Sequence, residues 1–320
     1  MNKFSVLLLG LFLCLAITAC GSPAEPPLTN TPEETAAPTV TPTPLPPTIT
    51  PTPTITPTPT ETPTPTLTPT VIYPPEPQQV TFEAADGQVL QGTYFPADVS
   101  PAPVIVLMHW AAGDQSEWAL IARWLQDRGL VQGMAAKSDP WLVPYFLPDN
   151  PGTLSPAVFT FTFRECEGGC TRFVSDGWLL DARSAVEFAS KLEGVDKDRV
   201  VAVGASIGAD GAVEGCSWLN EQHQGTCLGA LALSPGSYLT VPFQESAQAL
   251  LEDDPPRAVW CLYGRADAAA RQTCQEVPGA NLIDHRRIKP HGFELFDPDL
   301  SPTAFEVLLD FLSSALGSTQ

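Results

Sequence analysis

Short apolar runs recur along the chain from residue 104 onwards, and segments of mixed polarity separate them. Each run is four to seven residues long, which is typical of strands that are buried on both faces of a parallel sheet. These predicted strands are 104–108, 157–163, 200–203, 228–233 and 258–263. The segment 178–192 instead places apolar residues three and four positions apart, which predicts a helix. The alternation predicts an α/β fold, with a mostly parallel central sheet and helices on both faces.

Further elements precede and follow this alternating region. The segments 79–84 and 88–95 flank Asp86-Gly87, which predicts a β-hairpin. A last strand is predicted over 281–288, and a final helix runs from about Thr303 to Leu316. Residues 77–320 therefore form one domain, which is long enough to enclose a sizeable core.

The amino-terminal segment has the pattern of an export signal. Lys3 precedes an apolar run over 4–19, which is short for a membrane span and suits a signal peptide. The following residues, Thr18-Ala19-Cys20-Gly21, resemble a bacterial lipobox. That resemblance implies cleavage of residues 1–19 and a lipid on Cys20 that anchors the chain to the membrane. An uncleaved signal anchor is the alternative, and both interpretations place the domain outside the cytoplasm.

Residues 20–76 are predicted to be a linker. The stretch 22–75 contains eighteen prolines and eighteen threonines, and it has too few apolar residues to form a core. Alternating Thr-Pro favours extended polyproline II, which could span about 170 Å at about 3.1 Å per residue. The threonines could carry sugars, although a plain spacer is the simpler interpretation.

Charge and cysteine content narrow the possible partners. The formal charge of −20 argues against binding to nucleic acid and against docking on anionic lipid. Two cysteines, Cys14 and Cys20, belong to the signal and the anchor. The other six cluster as Cys166/Cys170, Cys216/Cys227 and Cys261/Cys274, which suggests three local disulfide bonds. No zinc-binding spacing occurs, so we expect neither a metal nor a cofactor.

The predicted strand 200–203 leads into Gly204-Ala205-Ser206-Ile207-Gly208, followed by a helical segment. Gly-x-Ser-x-Gly between a strand and a helix is typical of a nucleophile elbow, in which the serine hydroxyl stands clear of the sheet. The same turn directs the N–H of Ile207 towards a developing oxyanion. The alternative is a serine in an ordinary loop, since five-residue patterns occur by chance.

With this elbow and strand pattern, residues 77–320 resemble the α/β-hydrolase family. The loop after strand 104–108 of that family usually reads His-Gly and supplies the second oxyanion N–H. Here it reads His109-Trp110-Ala111. Trp110 carries the role by position, although its bulk leaves open whether its own N–H or that of Ala111 faces the site. We expect His109 to order this loop and not to act as the base.

The acid and the base are expected after the last two strands. Asp267 follows Gly264-Arg265-Ala266, where this family commonly keeps its acid; its alternative role is a helix N-cap. Asp284, within strand 281–288, is the reserve candidate. His291-Gly292-Phe293 resembles the base of the dienelactone-hydrolase-like branch. The order Ser206, Asp267, His291 is the chain order of α/β-hydrolases.

Three connections affect access to the site. An insertion over 131–156 contains Trp141 and Tyr145. We expect this insertion to pack against the body of the domain; a lid over the site is the alternative. Residues 164–177 follow a strand, so they belong at the active edge, where a Cys166–Cys170 bond would stiffen them. Only about 25 residues separate 228–233 from 258–263, too few for a large cap domain there.

These features predict a membrane-tethered, extracytoplasmic serine hydrolase. The resemblance implies a carboxylesterase that acts on small-molecule esters through a Ser-His-Asp triad and an acyl-enzyme. A cell-envelope acyltransferase or peptidase could use the same residues. A catalytically inactive binding module is the third possibility, kept open by Trp110 in place of glycine.

Overall fold

The computed structural model of the chain describes residues 75–128, 147, 155–223, 225–285 and 289–317. All of them belong to the compact unit Leu67–Gln320. The predicted signal peptide, Cys20 and the linker up to residue 74 lie outside the described residues, as does the 131–156 insertion apart from residues 147, 155 and 156. Within the described ranges, no helix combines the length and apolarity needed to cross a membrane.

Eight strands form a single sheet in the order β1-β2-β4-β3-β5-β6-β7-β8. They are β1 (Gln78–Glu83), β2 (Val89–Phe95), β3 (Ala102–Met108), β4 (Ala157–Phe161), β5 (Val195–Ala205), β6 (Cys227–Leu233), β7 (Ala258–Gly264) and β8 (Asn281–His285). The first two pair as the predicted antiparallel hairpin, and β2 is antiparallel to β4. Every pair from β4 to β8 is parallel, so the prediction of a mostly parallel sheet is confirmed.

Helices cover both faces of the sheet, as predicted. They are α1 (Ala119–Leu125), α2 (Ser175–Ser190), α3 (Ile207–Glu221), α4 (Phe243–Glu252), α5 (Ala268–Gln275) and α6 (Ala304–Leu316). Alternate side chains of β3 enter two separate cores, because successive residues of a strand point to opposite faces. Val104 and Val106 pack in the core under α2 to α5, while Ile105 and Leu107 pack in the core under α1 and α6.

Two elements begin earlier than the apolar pattern predicts. β5 starts at Val195, because Ala102 of β3 pairs with it and extends the ladder through the charged residues that follow. α2 starts at Ser175, where Asp176 lies in the first turn and complements the positive end of the helix dipole. Charged residues at a strand start and a helix start mask both boundaries in the sequence.

Three disulfide bonds lie in or across the connections between these elements. The structure brings together the three predicted pairs, Cys166–Cys170, Cys216–Cys227 and Cys261–Cys274, as disulfide bonds. Between β6 and β7, where every residue is described, the chain contains one helix, α4. No cap domain is therefore inserted at this connection.

Candidate active site

The turn between β5 and α3 has the backbone of a nucleophile elbow. Ser206 lies in a strained conformation with φ 54° and ψ −116°, which non-glycine residues rarely adopt. Its N–H donates to the Leu233 carbonyl at 2.8 Å and so extends the β5–β6 ladder. A Cβ atom at Gly208 would lie 2.4 Å from the Met108 carbonyl oxygen, so only glycine lets α3 start this close to β3.

The structure brings the three predicted triad residues together in one hydrogen-bonded row. Ser206 Oγ lies 2.9 Å from His291 Nε2, and His291 Nδ1 lies 2.6 Å from Asp267 Oδ2. Asp267 is a hydrogen-bond acceptor, so Nδ1 carries the proton and Nε2 is free to accept from the serine hydroxyl. This is the arrangement in which a histidine can remove the proton of a serine nucleophile.

The Asp267 carboxylate lies in position for both of the roles that the sequence offers as alternatives. One carboxylate oxygen faces His291, and the other accepts from the Ala270 N–H at 3.3 Å as the N-cap of α5. Burial acts to raise the pKa of Asp267, but these hydrogen bonds outweigh it and hold the pKa below its usual value. The carboxyl is therefore ionised at neutral pH. The reserve candidate, Asp284, instead forms an ion pair with Arg265.

His109 supports the loop after β3, residues 110–114, which we call the β3 loop. The His109 ring is fully buried, and its Nε2 accepts from the Phe163 N–H at 3.0 Å. Its Nδ1 therefore carries the proton and donates to the Trp110 carbonyl at 2.7 Å. Burial lowers the pKa of His109 to about 4, so the ring is neutral at physiological pH. This geometry agrees with the expected structural role.

The orientation of one peptide unit bears on the second oxyanion donor. The Trp110 carbonyl points to the His109 ring, which reaches towards Phe163 just beyond β4. In a planar trans peptide the N–H points opposite to the carbonyl, so the Ala111 N–H is directed away from β4. β3 lies between β4 and β5 in the sheet. Ser206 follows β5, so it lies on the side of β3 that is away from β4. The Trp110 side chain packs on Gly292 and Phe293 beside His291.

The loop after β4, residues 164–174, braces the β3 loop. The Cys170 N–H donates to the Ala111 carbonyl at 2.7 Å, and the Gly168 N–H donates to the Asp114 carboxylate at 2.9 Å. The Cys166–Cys170 bond closes this segment. At its base, Arg164 donates to the fully buried carboxylate of Asp181 through two nitrogens. The structure thus places this loop at the active edge, as predicted.

Two residues of the site were missed by the sequence analysis. Asp210, one turn after Ser206 in α3, is 2% exposed and accepts from the N–H groups of Gly236 and Tyr238. Burial raises the pKa of Asp210 to about 7, against these hydrogen bonds. The Tyr238 side chain lies beside Ser206. The available signal was an acidic residue in an otherwise Gly-, Ala- and Val-rich helix start, which must be buried and must have partners.

The Ile207 N–H lies at the first position of α3, where an N–H has no partner within the helix. Its position directly after Ser206 leaves it available to a substrate oxygen. Across the described ranges, no group of three or more His, Cys, Asp or Glu side chains is arranged to hold a metal ion.

Several solved structures with a similar backbone are described as esterases. An esterase from Pyrococcus furiosus is 14% identical, with a TM-score of 0.51 over 76% of this chain and 94% of that one. An esterase from Pyrobaculum calidifontis is 13% identical, with a TM-score of 0.52 over 76% and 86%. A thermostable carboxylesterase cloned from a metagenomic library is 14% identical, with a TM-score of 0.52 over 78% and 92%. The chain has the α/β-hydrolase fold. The sequence matches no protein-family model and no curated protein.

Proposed function

We propose that this protein is a serine hydrolase that cleaves small carboxylic esters, on the dienelactone-hydrolase-like branch of its fold. The observation that carries the proposal is the hydrogen-bonded row Ser206–His291–Asp267, with its serine in a strained elbow. The similar structures described as esterases add support at the level of the fold.

The reaction begins when Ser206 Oγ attacks the ester carbonyl carbon and His291 Nε2 takes the serine proton. Asp267 holds the His291 Nδ1 proton and stabilises the imidazolium that forms. The imidazolium then gives its proton to the departing alcohol, leaving an acyl group on Ser206. A water molecule, deprotonated by His291, attacks the acyl carbon, and the proton returns to Ser206 as the acid is released.

The negative charge on the carbonyl oxygen needs two donors. Ile207 N–H is one, because it follows Ser206 and has no helical partner. The proposed second donor is the Ala111 N–H, whose peptide is oriented by the His109 hydrogen bond to Trp110. This assignment replaces the Trp110 N–H with that of its neighbour, while the Trp110 side chain forms a wall beside His291.

A fluorophosphonate probe tests this function, because it phosphonylates only an activated serine. We expect the probe to label Ser206, as read by peptide mapping, and Ser206→Ala to stay folded and lose both labelling and 4-nitrophenyl acetate turnover. Ser217→Ala, a serine further along α3, is the matched control and should behave as wild type. Labelling of another residue, or wild-type turnover by Ser206→Ala, would overturn the proposal.

Product analysis separates the remaining enzyme classes. With an ester and a large excess of alcohol, a hydrolase releases mainly free acid, whereas an acyltransferase forms mainly the new ester. Release of an amine from a peptide substrate would indicate a peptidase. An inactive binding module would show no burst of 4-nitrophenol.

We further propose that the enzyme is exported and tethered to the membrane by a lipid on Cys20, with residues 20–76 as the spacer. Cys20→Ser should move the protein from the membrane fraction to a soluble, exported fraction. An unchanged membrane fraction would favour an uncleaved signal helix instead.

A further inference from the structure

The loop after β6, residues 234–239, lies against the candidate nucleophile from the side opposite to the β3 loop. β5 lies between β3 and β6 in the sheet, so the two loops flank Ser206. We call residues 234–239 the β6 loop. Its Tyr238 is half-buried, and the Tyr238 side chain lies beside that of Ser206.

The β6 loop is fixed by a buried carboxylate. Asp210 accepts from the N–H of Gly236 at 3.1 Å and from the N–H of Tyr238, and it interacts with the N–H groups of Ser237 and Leu239. Four successive N–H groups around one carboxylate leave the loop little freedom. Because Asp210 lies one turn after Ser206 in α3, the position of Tyr238 is tied to that of the nucleophile.

The Tyr238 ring folds back over Gly236. A Cβ atom at Gly236 would lie 2.6 Å from the Tyr238 hydroxyl oxygen, so a side chain there would displace the ring. Ser237, between them, has a φ of 54°, which produces the reversal that brings the ring back. The backbone thus fixes the position of the tyrosine ring over Gly236.

The position of the Ser206 proton determines which of the two hydroxyl groups, Tyr238 or Ser206, is the hydrogen-bond donor. The Ser206 hydroxyl donates to His291 Nε2, so Ser206 Oγ has no proton left to give and can only accept from the tyrosine O–H. Burial, with the charges of Asp210 and Asp267, raises the pKa of Tyr238 above its ordinary value. Tyr238 is therefore protonated at neutral pH and acts only as a hydrogen-bond donor, without giving up its proton.

We propose that Tyr238 is a catalytic hydrogen-bond donor, which serves Ser206 Oγ before attack and the alkoxy oxygen of the substrate in the tetrahedral intermediate. Once Ser206 Oγ bonds to the carbonyl carbon, it is an ester oxygen and a weaker acceptor. The alkoxy oxygen on the same carbon gains negative charge as its bond breaks. In this proposed intermediate, the carbonyl oxygen of the substrate faces the β3 loop and the Ile207 N–H. The alkoxy oxygen of the substrate then faces the β6 loop.

This inference rests on the proposed ester hydrolysis and predicts a dependence on the leaving group. An alkoxide leaves with high charge and needs a donor, whereas 4-nitrophenolate stabilises its own charge. Tyr238→Phe removes only the hydroxyl. We expect kcat/KM to fall by about 100-fold for ethyl butanoate, comparable to the loss of one transition-state donor, and by less than about threefold for 4-nitrophenyl butanoate.

Tyr94→Phe is the matched control, since the Tyr94 hydroxyl donates to the Glu193 carbonyl, away from the site. It should keep the wild-type ratio between the two esters. An equal loss of kcat/KM in Tyr238→Phe for both esters, or no loss for either, would overturn the assignment of Tyr238. If the wild type still turns over the esters in that case, the proposed function stands. A wild-type protein that neither reacts with a fluorophosphonate nor cleaves either ester would overturn both.

Discussion

The two loops that flank Ser206 are held by buried groups of opposite chemistry. On one side, the neutral His109 ring accepts from Phe163 and donates to Trp110, which orients the β3 loop. On the other side, the Asp210 carboxylate collects N–H groups of the β6 loop. The His109 ring fixes the β3 loop with one acceptor nitrogen and one donor nitrogen. The Asp210 carboxylate fixes the β6 loop with acceptor oxygens alone. The surroundings of one candidate nucleophile thus depend on an imidazole and a carboxylate that are both buried.

Burial moves the pKa values of these two groups in opposite directions, because it penalises the charged form of each. The pKa of His109 falls to about 4, and the pKa of Asp210 rises to about 7. The β3 loop is therefore sensitive to acid, while the β6 loop carries a buried charge only as the pH rises towards neutrality and above. The two flanks therefore set separate pH limits for one site.

Replacement of His109 should have the largest effect on turnover. His109→Phe keeps an aromatic ring but loses both hydrogen bonds, so the Trp110 carbonyl keeps only the bond from the Gly113 N–H at 3.3 Å and the Trp110–Ala111 peptide is less firmly oriented. We expect kcat for 4-nitrophenyl butanoate to fall about 100-fold with a small change in KM, as for loss of an oxyanion donor. His223→Phe, at an exposed position, is the control. Wild-type kcat in His109→Phe would show that the β3 loop needs no support from this ring.

Asp210→Asn should act on the other flank and more weakly. The amide replaces one acceptor oxygen by a donor that faces the loop N–H groups, so Tyr238 loses its fixed position. We expect kcat/KM for ethyl butanoate to fall about tenfold, with a smaller loss for the nitrophenyl ester. Asp176→Asn, an exposed acid in the first turn of α2, should have no effect. A larger loss than in His109→Phe would reverse the ranking of the two flanks.

The pH dependence of stability distinguishes the two supports. The raised pKa of Asp210 means that its contribution to stability is present below about pH 4 and is lost as the pH rises towards about 7. The lowered pKa of His109 has the opposite consequence, a contribution that is present above about pH 6.5 and lost as the pH falls to about 4.

Urea unfolding at pH 4.5 and pH 7 measures both contributions. Relative to Asp210→Asn, wild type should lose at least about 1 kcal/mol of unfolding free energy between pH 4.5 and pH 7. Relative to His109→Phe, it should gain a similar amount over the same interval. Parallel profiles for wild type and both variants would mean that neither group titrates within the fold.

The smallest effect on activity is expected from the disulfide of the 164–174 loop. Replacing Cys166 and Cys170 by serine should lower kcat about threefold, because the hydrogen bonds to the β3 loop remain but their base loosens. The loss of stability should be about 2 kcal/mol. Serine at both Cys216 and Cys227, whose loop is longer, should cost more stability, about 3 kcal/mol, and leave kcat unchanged. A reduced kcat in this second variant would indicate a global effect of disulfide loss.

The sheet and the candidate triad were accessible from the sequence because each has a local pattern. Apolar runs mark the buried strands, and Gly-x-Ser-x-Gly marks a turn whose strain only certain residues permit. Asp267 and His291 follow successive strands, and parallel strands end at one edge, so the topology brings the two side chains together.

The supports of the site have no local pattern. Asp210 is buried because the β6 loop, more than twenty residues further along the chain, folds over it. The choice between the N–H groups of Trp110 and Ala111 depends on one peptide orientation, which hydrogen bonds from His109 and the Gly113 N–H to the Trp110 carbonyl set. The helix N-cap and the partner of His291 are alternatives for Asp267 in the sequence, but a carboxylate has two oxygens and can serve both. Such features follow from tertiary contacts and not from periodicity.

The three disulfide bonds join cysteines that are only 4, 11 and 13 positions apart. Short loops have the smallest entropy of closure, so each thiol meets its native partner more often than any other. Both members of a pair also emerge from the ribosome almost together. Oxidation can therefore proceed segment by segment during synthesis. The chain requires an oxidant to mature, but it has little need of an isomerase that reshuffles wrongly paired thiols.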